Sequence, residues 1–382
     1  MSFNYKNFEK KLAENKVYNA WQYIYSLRET ITYMEISFEI LKEVYQYRKS
    51  ILSSIKKEKF NELSSSGKFA LTVNDLNKTE LDIGGYKLND IIFLRKTTIE
   101  FFHYSRICMD TILQIINAAL LGDEAFSNYD TKLLSNLLKK LKSFSEFSKL
   151  LEILETSKND ERFQYLMAFD NYIKHIRTVS ITVKNSIIIG NIDEFEINSF
   201  YYKDKFYDKK NALDIAQDIC NYTTSTIDTL LNEISQQVSN CISNDSRIQD
   251  IIYKYCFKKQ NDKTYLTYVS FFIDVPNGIT DLPPEIKVHP LLIKPNDEIC
   301  DFDFTFNKIF IKKKGANENG IVGVATLKNG LDTNEFYKIY EVKKCDYKDY
   351  MLYIATFNEK YKNENIKLNL YAMKGEQIFL NE

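Results

Sequence analysis

The chain has 382 residues, a length that suits two domains better than one. Hydrophobic residues make up 44% of it, enough to bury a core, and this excludes a disordered chain. The formal net charge is −1, and residues 245–382 carry 20 basic and 20 acidic residues. Both parts of the chain are therefore balanced in charge, which excludes a module that grips nucleic acid by bulk positive charge.

The cysteines and the termini bear on location and cofactors. The six cysteines are widely spaced and form no CxxC pair or Cys/His set with the spacing of metal ligands. We therefore expect reduced thiols and no metal or cofactor. The N-terminal residues are polar and charged, unlike a signal peptide, and no apolar run reaches the roughly 20 residues that span a bilayer. The sequence predicts a cytoplasmic protein without membrane contact.

A helical region is predicted for the first 245 residues. No proline occurs before Pro276, and apolar residues recur at i, i+3, i+4 and i+7 in five segments. These segments are residues 17–60, 88–121, 130–157, 160–188 and 211–242. The serine- and glycine-rich stretch 62–85 predicts a loop. Alternating residues in 195–207 predict a short hairpin around a Lys203-Asp204 turn.

From about residue 246 the pattern changes to strands. The predicted strands are residues 251–258, 265–275, 302–312, 321–327 and 366–372, and one helix is predicted at 347–362. The first two strands flank a turn-like sequence and predict a hairpin. The fold class is therefore α+β, with an all-α N-terminal bundle over residues 1–245 and a separate β-rich mixed C-terminal domain over residues 246–382.

Two predicted helices carry a stripe of polar residues beside their apolar face. On the helix of residues 160–188 the stripe consists of Asn171, His175, Thr178 and Thr182, and on the helix of residues 88–121 it includes His103, Arg106 and Asp110. A polar stripe on an apolar helix must meet solvent or other polar groups. One arrangement packs the two stripes into a cluster of two histidines, an arginine and an aspartate. The other leaves two solvated faces.

The segment Arg162–Arg177, with its Asn-x-x-Lys-His-x-Arg core, resembles the last core helices of HEPN-type proteins. The order of helices and hairpin over residues 20–240 is similar too. The resemblance implies a helical bundle that dimerises and, for many members, a metal-independent RNase of toxin–antitoxin or antiphage systems. In that family an Arg and a His, separated by four to six residues, act at the dimer interface on the ribose 2′-hydroxyl and the scissile phosphate.

The chain departs from the family motif at one position. The motif has an Arg separated from the His by four residues, and this chain has Asp170 at that position. Asn171 and His175 match the motif. A carboxylate cannot stabilise negative charge that develops on a phosphate. Arg106 or Arg177 would therefore have to replace the motif arginine.

Two functions remain open. In the first, a bacterial antiphage-defence or toxin-type protein cleaves RNA as a homodimer, with His175 as general acid or base. The residues assigned to catalysis are His175, Asn171, Arg177 and Arg106, and a second polar cluster contains His103 and Asp110. In the second, the helical domain is an inactive dimerisation or sensing bundle, and the C-terminal domain binds a protein or a small ligand. Asp170 favours the second, and the Asn-x-x-Lys-His sequence favours the first.

Overall fold

The chain forms two compact units in a computed structural model. The model describes residues 3–15, 20–67, 70, 72, 75, 78–127, 130–185, 193–240, 248–254, 257–260, 263–266, 272–275, 281–293, 299–300, 308–328 and 338–360. The helical unit consists of Met1–Phe3, Tyr23–Ile115 and Thr131–Gln237, and the strand-rich unit of Asn4–Gln22, Ile116–Asp130 and Val238–Glu382. The helices are mostly N-terminal and the C-terminal region is rich in strands, which confirms the predicted α+β class. The predicted domain limits, residues 1–245 and 246–382, stay a prediction.

The helices and strands of the described residues are numbered in chain order. The α-helices are α1 (Tyr5–Glu14), α2 (Trp21–Ser66), α3 (Asp90–Leu121), α4 (Leu133–Leu141), α5 (Ser148–Asn159), α6 (Glu161–His175), α7 (Ala212–Gln237) and α8 (Tyr347–Lys360). The first strands are β1 (Leu81–Ile83), β2 (Tyr86–Leu88), β3 (Ile181–Asn185), β4 (Asp193–Ile197), β5 (Phe200–Tyr202), β6 (Lys205–Tyr207) and β7 (Lys210–Asn211). They are followed by β8 (Ile248–Lys254), β9 (Phe257–Gln260), β10 (Lys263–Leu266), β11 (Phe272–Val275), β12 (Glu285–Ile293), β13 (Ile299–Cys300), β14 (Lys308–Lys313), β15 (Ile321–Leu327) and β16 (Lys338–Lys344).

The predicted helix over residues 160–188 is wrong beyond His175. Helix α6 ends there, and the backbone N–H groups of both Ile176 and Arg177 donate to the carbonyl of Tyr172. The following residues are mostly β-branched and alternate between buried and exposed from Val179 onward, so they favour the strand β3. The predicted polar stripe therefore stops at His175.

Two other predictions fail in part. The predicted helix over residues 130–157 is interrupted between α4 and α5, where the serine-rich sequence forms a turn and a single 3-10 turn, Ser145–Phe147. The predicted loop over residues 62–85 begins too early, because α2 continues to Ser66. The loop also contains the first strand of the β1–β2 hairpin, whose two turn residues, Gly84 and Gly85, both have positive φ.

The predicted hairpin over residues 195–207 is confirmed only in its second half. Strands β5 and β6 pair around Lys203, whose φ is 54°, and Asp204. Strand β4 instead lies between β3 and β7 in a separate three-stranded sheet. The alternating sequence gave no sign that this stretch divides between two sheets at Asn198.

Aromatic side chains form the part of the helical core on which α6 rests. The ring centroids of Phe102 on α3 and Phe169 on α6 are 4.4 Å apart. Phe169 is fully buried, and Phe200 of β5 lies 6.0 Å from it on the other side. This core fixes α6 between α3 and the β5–β6 hairpin.

The strand-rich unit is built on a seven-stranded mixed sheet in the order β11-β14-β15-β16-β12-β13, with β8 also paired to β12. Helix α8 lies against this sheet, and the rings of Tyr350 and Phe310 are 4.8 Å apart at right angles. Strand β15 and helix α8 match their predictions. The predicted pairing of residues 251–258 with 265–275 holds only for β9 and β10, because β8 and β11 run parallel to other strands. The predicted strand 366–372 lies outside the described residues.

A buried ion pair joins α2 to the start of α3. Arg48 Nη1 contacts Asp90 Oδ2, and both residues are buried. We expect Arg48→Met to lower the free energy of unfolding by about 3–5 kcal/mol, because it leaves the Asp90 carboxylate buried without its charge partner. Arg28→Met, an exposed site on the same helix, should change it by only about 0.5 kcal/mol. Urea denaturation followed by circular dichroism measures both, and equal losses would contradict the assignment.

Candidate functional site

Helix α6 begins at a strongly capped position. The Asp160 carboxylate accepts a hydrogen bond from the backbone N–H of Arg162 at 2.8 Å and two more from its guanidinium at 2.9 and 2.7 Å. The Arg162 hydrogen bonds hold the pKa of Asp160 below its ordinary value. The same guanidinium lies 4.7 Å from the ring centre of Tyr222 on α7. The cap thus fixes where α6 starts and how it meets α7.

A buried carboxylate lies at the contact between α3 and α6. Asp170 is only 4% exposed, and its two oxygens have different partners. His103 Nδ1 is 3.0 Å from one oxygen, and Lys174 Nζ is 2.8 Å from the other. A carboxylate this deeply buried needs such partners, since removing it from water costs several kcal/mol. Asp170 therefore has a clear structural role.

A second ion pair lies beside this carboxylate. Arg106 Nη1 is 2.6 Å from Asp110 Oδ1, which makes a close ion pair within α3. Burial lowers the pKa of Arg106 against the opposing attraction of Asp110 and Asp170. Burial also raises the pKa of Asp110, with a smaller contribution from Asp170. Desolvation thus outweighs the pairing for both members.

These residues form one group, the α3–α6 cluster, consisting of His103, Arg106, Asp110, Asp170 and Lys174. The predicted meeting of two polar stripes is therefore wrong, because the stripe on α3 meets residues of α6 that lie outside the predicted stripe. The stripe on α3 meets α6 through Asp170 and Lys174. In the described residues no hydrogen bond or ion pair joins the cluster to His175. The step of five positions from Asp170 to His175 turns the helix by about 140°, so the two side chains leave it in different directions.

His175 lies at the exposed end of α6. In the described part of the chain, neither His175 nor the half-buried Asn171 makes a hydrogen bond or an ion pair. Arg177 is exposed too, and its Nε donates to the Tyr172 hydroxyl at 2.8 Å. In a continued helix, Arg177 would lie on the face opposite His175. Because α6 ends at His175, this restriction does not apply. We call Asn171, His175 and Arg177 the α6 end.

The chemistry open to the two groups differs. The carbonyl end of a helix favours cations, and an exposed guanidinium held on one nitrogen by a tyrosine keeps its other donors for a phosphate. The imidazole of His175 meets solvent and can exchange a proton with a ligand. In the α3–α6 cluster the two cations already face two carboxylates. An anion bound there would have to displace an existing partner.

Sequence reasoning missed one member of the α3–α6 cluster and one residue that contacts the α6 end. Lys174 was noted only as part of the Asn-x-x-Lys-His sequence, although its spacing of four residues from Asp170 is that of a helical ion pair. The hydrogen bond from Arg177 to the Tyr172 hydroxyl could not be predicted, because Arg177 lies beyond the end of the helix and helical spacing does not apply to it.

No protein-family model, no curated protein and no solved structure matches the chain. Within the described ranges, no group of three or more His, Cys, Asp or Glu side chains is placed to hold a metal ion. None of the helices that the structure describes combines the length and apolar character needed to cross a membrane.

The role of Asp170 predicts the effect of replacing it with arginine. Asp170→Arg would place a third cation beside Arg106 and Lys174, so we expect a loss of at least about 3–5 kcal/mol in the free energy of unfolding. Asp170→Asn, which keeps an acceptor for His103, should lose less. Glu152→Arg, the same kind of charge reversal at an exposed position of α5, should have little effect. Thermal and urea denaturation of the three variants measures this. A stable Asp170→Arg protein would contradict it.

The Asp160 cap predicts a dependence of stability on pH. Its pKa is lowered in the folded state, so its stabilisation is present above the ordinary aspartate pKa near 4 and is lost as the pH falls through the lowered value. Asp160→Asn keeps an N-cap acceptor but cannot titrate. The free energy of unfolding of the wild type should therefore fall more steeply with acid than that of the variant. Parallel slopes in urea titrations across the acid range would show that the carboxylate makes no such contribution.

Proposed function

We propose that the protein is a bacterial antiphage-defence or toxin-type HEPN-like protein whose helical unit cleaves RNA as a homodimer without a metal ion. The proposal combines the Asn-x-x-Lys-His-x-Arg resemblance with one observation. His175 and Arg177 are both exposed at one end of α6, and in the described residues no carboxylate pairs with either. An acid–base group and a phosphate-binding group are thus both open to a ligand there.

The structure favours Arg177 over Arg106 as the phosphate-binding residue. The Arg106 side chain is only 14% exposed and is already paired with Asp110. To bind a phosphate it would have to leave that carboxylate and the protein interior, at a cost of several kcal/mol. Arg177 is exposed and is restrained only through Tyr172 in the described residues. It can bind an anion without breaking an ion pair.

The proposed reaction is an internal transesterification. His175 removes the proton from the ribose 2′-hydroxyl, and the 2′-oxygen attacks phosphorus as the bond to the 5′-oxygen breaks. Arg177 stabilises the charge on the pentacovalent phosphorus, and Asn171 donates to a phosphate oxygen. The products are a 2′,3′-cyclic phosphate and a 5′-hydroxyl. The departing oxygen takes a proton from the imidazole of the partner protomer or from water.

Removal of His175 tests this reaction. Wild type, His175→Ala and Arg177→Ala are incubated with total RNA and tRNA in EDTA, and RNA ends are mapped. We expect cleavage by wild type with cyclic-phosphate ends, and a fall of about 10²–10⁴-fold in rate for His175→Ala. Lys158→Ala, an exposed cation on α5, serves as the control. Each variant should keep its fold, since the changed side chains are exposed.

The second candidate function is an inactive dimerisation or sensing bundle whose strand-rich unit binds a protein or a small ligand. One observation favours it. The position of the motif arginine is occupied by Asp170, which is buried and committed to His103 and Lys174. No cleavage by wild type across several RNAs, with the dimer intact, would support this candidate and contradict the first.

A further inference from the structure

The hairpin of β5 and β6 has one buried face and one exposed face. The paired residues are Phe200 with Tyr207, Tyr201 with Phe206, and Tyr202 with Lys205. Side chains of a strand alternate between its two faces, so the middle pair points away from the other two. Five of these six side chains are aromatic, which is unusual for so short an element.

The buried face of the hairpin packs on α6. Phe200 is buried, and its ring centroid lies 5.3 Å from that of Tyr172 and 5.8 Å from that of Tyr165. Lys205 Nζ donates to the Gln164 side chain at 2.8 Å. These contacts hold the hairpin in a fixed place on the helix that carries the α6 end. Tyr172 contacts both the hairpin and Arg177, so the two features are neighbours.

The outer face presents two large aromatic rings to solvent. Tyr201 is 65% exposed and Phe206 is 45% exposed. Their ring centroids are 4.8 Å apart and the planes are tilted by 49°. Single exposed aromatics are common on protein surfaces, but this adjacent pair forms a continuous apolar surface, which we call the platform, with two ring faces. Such a platform suits a planar ligand.

The segment that contains the hairpin has more basic than acidic residues, in contrast to the net charge of −1 for the whole chain. Residues 200–211 contain four lysines and two aspartates. In the described structure Lys209 pairs with Glu196, whereas Lys203, Lys205 and Lys210 have no acidic partner. These three lysines lie over the rings of Tyr202, Tyr207 and Tyr165 and could turn outward toward an anion at the edge of the ring pair. A ligand that combines flat apolar groups with repeated negative charge would be complementary to this surface.

We propose that the β5–β6 hairpin binds single-stranded RNA, with unpaired bases stacked on Tyr201 and Phe206 and phosphates near Lys203 and Lys210. The inference rests on the proposed function for the nature of the ligand. Base–aromatic stacking requires an exposed base, so the hairpin selects single strands over duplexes. Tyr172 on α6 contacts both Phe200 on the inner face of this hairpin and Arg177.

Fluorescence anisotropy on the His175→Ala protein tests the inference without cleavage of the probe. A labelled 12-nucleotide single strand and the same strand in a duplex are titrated against the full chain. We expect the single strand to bind more tightly. Tyr201→Ala and Phe206→Ala should each weaken its binding by roughly 5- to 100-fold. Tyr86→Ala removes an aromatic that is 77% exposed on the β1–β2 hairpin and should leave binding unchanged.

Two further variants separate stacking from other roles. Replacing both aromatics by leucine keeps an apolar surface, and binding should fall almost as far as with alanine. The Lys203→Ala/Lys210→Ala variant should weaken binding and flatten its dependence on salt. Binding unaffected by the loss of both rings would overturn the inference. If the loss of both rings dissociates a dimer but leaves RNA affinity intact, the inference is also overturned, because the platform would then be a protein interface.

The binding result is independent of the cleavage result. Hairpin-dependent binding by a protein whose wild type cuts no RNA would support the platform and contradict the nuclease. If the wild type cleaves RNA but the hairpin variants bind RNA with unchanged affinity, the result would support the nuclease and contradict the platform.

Discussion

The buried carboxylate of Asp170 is the constraint on which the helical unit depends. His103 and Lys174 approach its two oxygens, and a carboxylate buried so deeply needs such partners. This requirement fixes the rotation of α6 against α3. With that rotation set, Phe169 points into the aromatic core, where it contacts Phe102 of α3 and Phe200 of the β5–β6 hairpin. His175 lies at the exposed end of the helix.

The same constraint explains why an acid stands at position 170. The side chain there points into a cluster that already contains Arg106 and Lys174, so an acid is the residue that electrostatics favours. The charges that remain open to a ligand lie at the α6 end instead. Structure and proposed chemistry are thus divided between two sides of one helix.

The sequence predicted those features that depend on local patterns. The α+β class, strand β15 and helix α8 follow from hydrophobic periodicity and the placement of proline. The helix prediction failed after His175, where β-branched residues continue the apolar pattern. Over so few residues, the same apolar positions fit both a helix and a strand. The sequence also could not pair helices, so the meeting of α3 with Asp170 rather than His175 required tertiary structure. The exposure of Tyr201 and Phe206 could not be predicted, because aromatic residues fill both faces of the alternating pattern.

The most direct test compares the two histidines in one experiment. His103→Ala and His175→Ala are each assayed for RNA cleavage in EDTA and for the free energy of unfolding. His103→Ala should cost about 1–3 kcal/mol of stability, through the hydrogen bond to a charged group, and should keep the wild-type cleavage rate. His175→Ala should keep its stability and lose cleavage. If cleavage is lost with His103 and kept without His175, the assignment of structure to one side of α6 and chemistry to the other is wrong.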